Sequence, residues 1–178
     1  MSQTADRYSK ALFELAQEQH CLETVQISMT DLRRIVLDSE DFRHFLNNPL
    51  LTYDDHVLVL KALFEGKVPE LSYKFLRFIT YKGRLHILKE IIESFDQLYL
   101  KSTNQVRAYV TTASVLEKED RVIINQHLRD KFQSDMLTKW NTDPSLIGGF
   151  RIYVQGKIYD YSFKNQLKHF FQQTTQPS

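Results

Sequence analysis

The chain has 178 residues, of which 42% are hydrophobic and 25% charged, and its 23 basic and 22 acidic side chains leave a net charge of +1. That balance gives no electrostatic footprint for nucleic acid and no polybasic membrane anchor, and the longest apolar runs, such as Val57-Leu58-Val59-Leu60, are far too short to span a bilayer. With Cys21 as the single cysteine, a disulfide within the chain is excluded, which fits a reducing compartment.

The first twenty residues mix both charge signs. They lack the apolar core of a secretory signal and the Arg-rich make-up of a transit peptide, so the expectation is a protein that is not secreted. All four prolines and all five glycines lie at or beyond Pro49. From Thr4 to about Thr103 the apolar residues recur at three and four, the period of helices. Six helices are predicted there. The first covers 4–19, the second 22–38, and a short third, 40–47, is stopped by Asn48-Pro49. The fourth starts at Thr52 with Asp55 three residues on, a capping-box pattern, and ends before Gly66. Pro69 opens the fifth as its first residue, and Gly83 closes it as a left-handed cap. The sixth carries Leu88, Ile91, Ile92, Phe95, Leu98 and Tyr99 on one stripe. Loops this short force antiparallel neighbours and a helical bundle. Cys21 falls at a helix end, where a half-buried thiol is expected.

Beyond Lys101-Ser102-Thr103-Asn104, a polar stretch suited to a hinge, the period drops to two. Val106, Ala108 and Val110 alternate with Arg107, Tyr109 and Thr111 as a half-buried strand. A helix follows over 117–134; Glu117 is a poor cap, so its start is expected to fray or to take its cap from Ser114. A weak strand is read over 137–141. Paired Gly148-Gly149 leads into the alternation Phe150, Ile152, Val154, and Gln155-Gly156-Lys157 turns the chain into Ile158-Tyr159. Paired glycines at a strand entrance suit a bulge that bends the strand, or a close approach of another backbone. Asp160 and Ser162 are placed to cap a last helix bearing Phe163, Leu167, Phe170 and Phe171. The fold class is therefore mainly α: a six-helix N-terminal bundle over 1–104, then a small α+β domain over 105–178.

Catalytic constellations are missing from the sequence. The six histidines form no His-x-x-x-His pair, and one cysteine cannot build a zinc cage. Gly148-Gly149 lacks a following Gly-Lys-Ser or Gly-Lys-Thr and precedes a strand, so it is no phosphate loop. No Gly-x-Ser-x-Gly elbow occurs. Asp54-Asp55 is read as first-turn dipole compensation, not a metal pair. The expectation is a connector without catalytic residues, cofactor or metal.

Ala5-Asp6-Arg7-Tyr8-Ser9-Lys10-Ala11-Leu12-Phe13-Glu14-Leu15-Ala16 in the first helix, Phe45-Leu46-Asn47-Asn48-Pro49, Phe75-Leu76-Arg77-Phe78 followed by Lys82-Gly83-Arg84-Leu85, and Ser145 to Phe150 with Asp160 and Ser162 form an ordered set. Together they resemble the delta subunit of bacterial F-type ATP synthase, the family of the mitochondrial oligomycin-sensitivity-conferring protein. The match covers essentially the whole chain. It departs at Lys82, where the family usually has Asn, at Glu117, where a better cap is common, and at Tyr161, where a smaller residue is frequent. The resemblance implies a non-catalytic stator part on the cytoplasmic face of the bacterial inner membrane. Its N-terminal domain would hold N-terminal helices of alpha subunits, and its C-terminal domain would hold the b subunits of the peripheral stalk. A general adaptor for amphipathic helices has the same physics and stands as the alternative.

On a wheel, the apolar residues of the first helix fill an arc of about 200°, and Leu71, Phe75, Leu76, Phe78 and Ile79 of the fifth fill about 160°, against roughly 100° for an ordinary surface helix. Either both helices are buried all round, or the surplus faces outward as a groove for a partner helix; the resemblance favours the groove. Its candidate lining is Tyr8, Ala11, Leu12, Leu15, Phe75, Phe78 and Ile79. Phe163, Leu167, Phe170 and Phe171 are candidates for the stalk contact or for core packing. Gly83, Gly148, Gly149, Asp160 and Ser162 are read as structural.

Overall fold

The computed structural model describes residues 2–165. Among them lie seven α-helices, one turn of 3-10 helix and four strands, the strands all in the C-terminal part. The chain divides into two compact units, Met1–Tyr99 and Leu100–Ser178, with the division inside the sixth helix.

The first unit is built from α1 (Gln3–Glu18), α2 (Leu22–Asp38), α3 (Glu40–Asn47), α4 (Tyr53–Phe64), α5 (Glu70–Tyr81) and α6 (Leu88–Ser102). Their ends are set by local chemistry. At the start of α4, Thr52 Oγ1 accepts from the Asp55 N–H at 3.2 Å while Asp55 Oδ2 accepts from the Thr52 N–H at 2.8 Å, a reciprocal capping box. Helix α5 ends in a Schellman turn: Gly83 adopts φ +64°, its N–H reaches the Thr80 carbonyl at 2.9 Å, and the Arg84 N–H reaches that of Ile79 at 2.8 Å. Helix α1 ends the same way without a glycine. His20 takes φ +52°, and the Cys21 N–H reaches the Ala16 carbonyl at 2.9 Å. Cys21 is half-buried just before α2. Pro69 stands one position before α5 instead of opening it. The 3-10 turn Leu85–Ile87 was not anticipated, because three residues are too few to display a period.

One apolar core joins these helices, with Phe13 of α1 edge-on to Phe95 of α6 at 5.9 Å between ring centres. Polar ties cross it. Ser94 Oγ of α6 donates to Asp6 Oδ1 of α1 at 2.8 Å and lies 2.7 Å from Ser9 Oγ. The buried Asp96 carboxylate of α6 accepts from Gln26 Nε2 at 3.0 Å and lies 3.7 Å from Arg33 Nη1, both on α2. A buried charge is tolerated only with such partners.

The second unit runs β1 (Gln105–Thr112), α7 (Lys118–Phe132), β2 (Asp135–Thr142), β3 (Phe150–Val154) and β4 (Lys157–Asp160). The sheet order is β2-β1-β3-β4; β1 and β2 are parallel, and the other pairs are antiparallel. A parallel pair needs a crossover, which α7 supplies. Leu128 of α7 packs with Val106, Ala108 and Val110 of β1, Met136 of β2, and Ile152 and Val154 of β3, so one face of the sheet is covered.

Two expectations change here. Strand β2 is eight residues long, not the five expected, because its end positions are polar and pairing with β1 rather than burial fixes them. Ser114 does not cap α7. Its carbonyl accepts from Thr112 Oγ1 at 2.7 Å instead, and Glu117 makes no side-chain cap. In the 101–104 stretch, Lys101 and Ser102 belong to α6, and the carbonyl of Asn104, at φ +50°, accepts from the Asp135 N–H at 3.0 Å.

Candidate partner-binding surfaces

Tyr8, Ala11 and Leu15 recur at three and four along α1, so they share one face. Tyr8 meets Phe78 of α5 edge-on, with ring centres 6.1 Å apart. Phe78 remains 48% exposed and Leu15 43%, and Ala11, which lies between Tyr8 and Leu15 in sequence, is exposed as well. The result is an apolar strip shared by two helices, with a small residue where a backbone can approach. Lys82 reaches over the Phe78 ring at 5.8 Å and the Tyr81 ring at 5.1 Å, and Tyr81 is edge-on to Tyr53 at 6.1 Å. The strip thus extends through Tyr81, which the sequence reading passed over although it stands three residues after Phe78.

Not every residue of the expected lining reaches this surface. Leu12 and Ile79 are at most 1% exposed and Phe75 only 7%. They form the floor that holds α1 and α5 and have almost no area to offer a partner. The wheel placed them correctly on the apolar arcs, but an arc does not say which part of it a neighbouring helix occupies.

In the second unit, Gly148 and Gly149 perform different tasks. A side-chain carbon on Gly148 would meet the Phe163 ring, with Cε2 at 2.7 Å. On Gly149, at φ +77°, it would meet the Tyr161 carbonyl and come within 3.0 Å of Ser162 Cα. The close approach is therefore by the chain's own backbone. Asp160 Oδ1 accepts from the Ser162 N–H at 3.0 Å, and Ser162 Oγ accepts from the Asn165 N–H at 3.3 Å. Phe163 is 55% exposed. Leu167, Phe170 and Phe171 lie outside the described residues.

The charged groups with displaced titration all belong to turns, caps or surface pairs. Hydrogen bonds from Thr52 hold Asp55 below its ordinary range, those from Ser145 do the same for Asp143, and those from Ser162, aided by Arg151, for Asp160. Glu70 is lowered by the Lys74 ammonium 2.6 Å away. A hollow of about 500 Å³ lined by Thr112, Leu116, Ile124, Leu146 and Phe150, among others, carries no titratable side chain. Among the described residues no group of three His, Cys, Asp or Glu is placed to hold a metal, and no helix is long and apolar enough to cross a membrane.

A family model for the ATP synthase delta (OSCP) subunit matches residues 4–173. The chain belongs to the ATP synthase delta (OSCP) subunit family. Members of the family resemble it along most of its length. The delta subunit of Pelagibacter ubique is 31% identical, covering 93% of this chain and 90% of its own. That of Clostridium kluyveri is 29% identical over 90% and 89%, and the chloroplastic delta subunit of Guillardia theta 30% over 92% and 90%. A chain of the mitochondrial ATP synthase hexamer of Toxoplasma gondii superposes with a TM-score of 0.78 over 99% of this chain and 100% of that one. At 20% identity, that likeness speaks for the fold. As a delta (OSCP) subunit the chain has a structural, non-catalytic role in ATP synthase, that of a stator part.

Proposed function

We propose that the chain joins the catalytic head of a bacterial F-type ATP synthase to its peripheral stalk, working at the cytoplasmic face of the inner membrane. The N-terminal domain, residues 1–104, is a six-helix bundle that takes the N-terminal helix of an alpha subunit along Tyr8, Ala11, Leu15 and Phe78. Phe75, Leu12 and Ile79 support these residues from beneath. The C-terminal domain, residues 105–178, holds the b subunits, with Phe163, Leu167, Phe170 and Phe171 as candidate contacts. The observation that carries this reading is the Tyr8–Phe78 ring contact, beside which Leu15 and Phe78 stay half open. An apolar strip bordered by exposed charges suits an amphipathic helix.

A stator must not release its partners under rotor torque, so the dissociation rate is the quantity that matters. Nanomolar binding corresponds to about −12 kcal/mol, within reach of one docked helix with a few aromatic anchors. Holding two partners at once adds effective concentration.

The test is calorimetric titration of the full chain with a peptide of the alpha-subunit N-terminus. Phe78→Glu should weaken binding roughly 100-fold or more while the far-UV spectrum stays unchanged. Equal affinity of the variant and the parent overturns the assignment of this strip.

A further inference from the structure

The apolar strip shared by α1 and α5 has two edges, and their charges differ. Along α5, at about 100° per residue, Lys74, Tyr81 and Arg77 fall on one side of Phe78, and the buried Phe75 and Ile79 on the other. Along α1, by the same spacing, Arg7, Glu14 and Glu18 fall on the side of Leu15 away from the buried Leu12 and Ala16. The strip is therefore a trough with Leu12, Phe75 and Ile79 as its floor and a charged bank on each helix.

The α1 bank is balanced. Glu14 pairs with Lys10 at 3.8 Å, which leaves Arg7 and Glu18 to offset each other. The α5 bank is cationic. Its carboxylate, Glu70, lies 2.6 Å from Lys74, whereas Arg77 and Lys82 form no ion pair among the described residues. Lys82 closes this bank, its Nζ 5.8 Å from the centre of the Phe78 ring and 5.1 Å from that of Tyr81. Tyr53 of α4 meets Tyr81 edge-on, and of the two carboxylates that follow it Asp55 is committed to the Thr52 capping box. Asp54 is left, against Arg77, Lys82 and, past Gly83, the exposed Arg84. The dipole of α5 accounts for a cation in its last turn, but Arg77 stands before that turn.

We infer that the trough takes one amphipathic α-helix whose acidic residues lie along a single flank of its apolar seam, the flank that faces α5. This rests on the head-binding reading of the first unit, and adds the charge pattern of the helix and the direction in which it lies. The seam sits on Tyr8, Leu15 and Phe78, and Arg77 and Lys82 meet the acidic flank. Turning such a helix end for end exchanges its flanks. The acids would then lie beside Glu14 and Glu18, and Arg77 and Lys82 would face none. Complementary charges across an interface fix register and exclude wrong arrangements more than they add affinity. The unequal banks therefore select one of the two directions open to a helix in the trough.

The experiment titrates the full chain with the alpha-subunit N-terminal peptide at low and at high salt. Arg77→Glu and Lys82→Glu should each weaken binding about five- to tenfold at low salt, and the loss should shrink at high salt. Glu18→Gln, on the α1 bank, should change affinity less than about twofold. A peptide with its acidic residues replaced by their amides should bind the parent as weakly as the parent peptide binds the charge variants, and should lose little more when combined with them. That peptide leaves the chain untouched, so the test holds even where a variant fails to fold. With a nitroxide at one end of the peptide, amide signals should broaden at one end of α5 only. Parent-like affinity of both folded charge variants and of the amide peptide, or equal broadening at the two ends of α5, overturns the inference; if Phe78→Glu still weakens binding, the head-binding reading stands. No binding of the peptide by the parent chain defeats that reading as well. A dimer of the parent chain dispersed by Arg77→Glu would put a second copy in the trough and overturn the choice of an acidic helix.

Discussion

The Tyr161 carbonyl lies where a side-chain carbon on Gly149 would have to stand. The contact is held by pairing: the Tyr161 N–H reaches the Phe150 carbonyl at 2.9 Å and the Phe163 N–H reaches that of Gly148 at 3.1 Å, which extends the β3–β4 ladder past its last regular residues. Gly149 therefore answers two demands at once, a left-handed backbone and an absent Cβ.

Gly149→Ala should cost the second unit about 2 kcal/mol or more, since both conformational strain and backbone overlap oppose it. Gly156 is the control. It shares φ +77° but has nothing within 4 Å of an added carbon, so Gly156→Ala should cost only about 1 kcal/mol. Urea denaturation of both variants, followed by the fluorescence of Trp140, measures the difference.

His20 is held at φ +52° to close α1. Side chains pay conformational strain in that region, and glycine does not. His20→Gly should raise the thermal midpoint, corresponding to about 0.5–1 kcal/mol. A lower midpoint would mean that the His20 side chain contributes more than its backbone strain costs.

The proposed function assigns Leu12 to stability and Phe78 to binding. Leu12→Ala empties a site that is 1% exposed and should cost about 3 kcal/mol in denaturant unfolding. Phe78→Ala removes a half-open ring and should cost about 1 kcal/mol or less, yet weaken the alpha-subunit peptide more strongly. Equal loss of stability in the two variants would contradict this division of labour.

Asp160 gives the second unit a predictable acid limb. Its carboxylate is held below the ordinary value of 3.8 by hydrogen bonds from Ser162 and by Arg151. A group whose pKa is lower in the folded state stabilises in full above the unfolded value and loses that contribution as pH falls through the folded one. Stability should therefore decline between about pH 5 and pH 2, and Asp160→Asn should flatten that decline while lowering stability at neutral pH. Denaturation midpoints across the range provide the check.

Local chemistry made much of the fold legible. Thr52 with Asp55, and Gly83 after an apolar stripe, mark helix ends because a cap is decided by neighbours three or four residues away. The alternation of Val106, Ala108 and Val110 marked β1 for the same reason, as one covered face dictates every second residue. The candidate strip was half legible. Tyr8, Ala11, Leu15 and Phe78 were named together with Leu12 and Ile79, because angle around a helix is a property of the sequence.

Tertiary structure decided the rest. Burial of Leu12 and Ile79 and exposure of Leu15 and Phe78 depend on which neighbouring helix fills each part of the arc. The parallel pairing of β2 with β1 joins residues thirty positions apart, and the alternation of a short polar edge strand says nothing about its partner. Tyr109, Tyr153 and Ile158 stand side by side only once three strands are in register. Periodicity and capping chemistry act within a few residues, whereas the exposed apolar surfaces are assembled from segments brought together by packing.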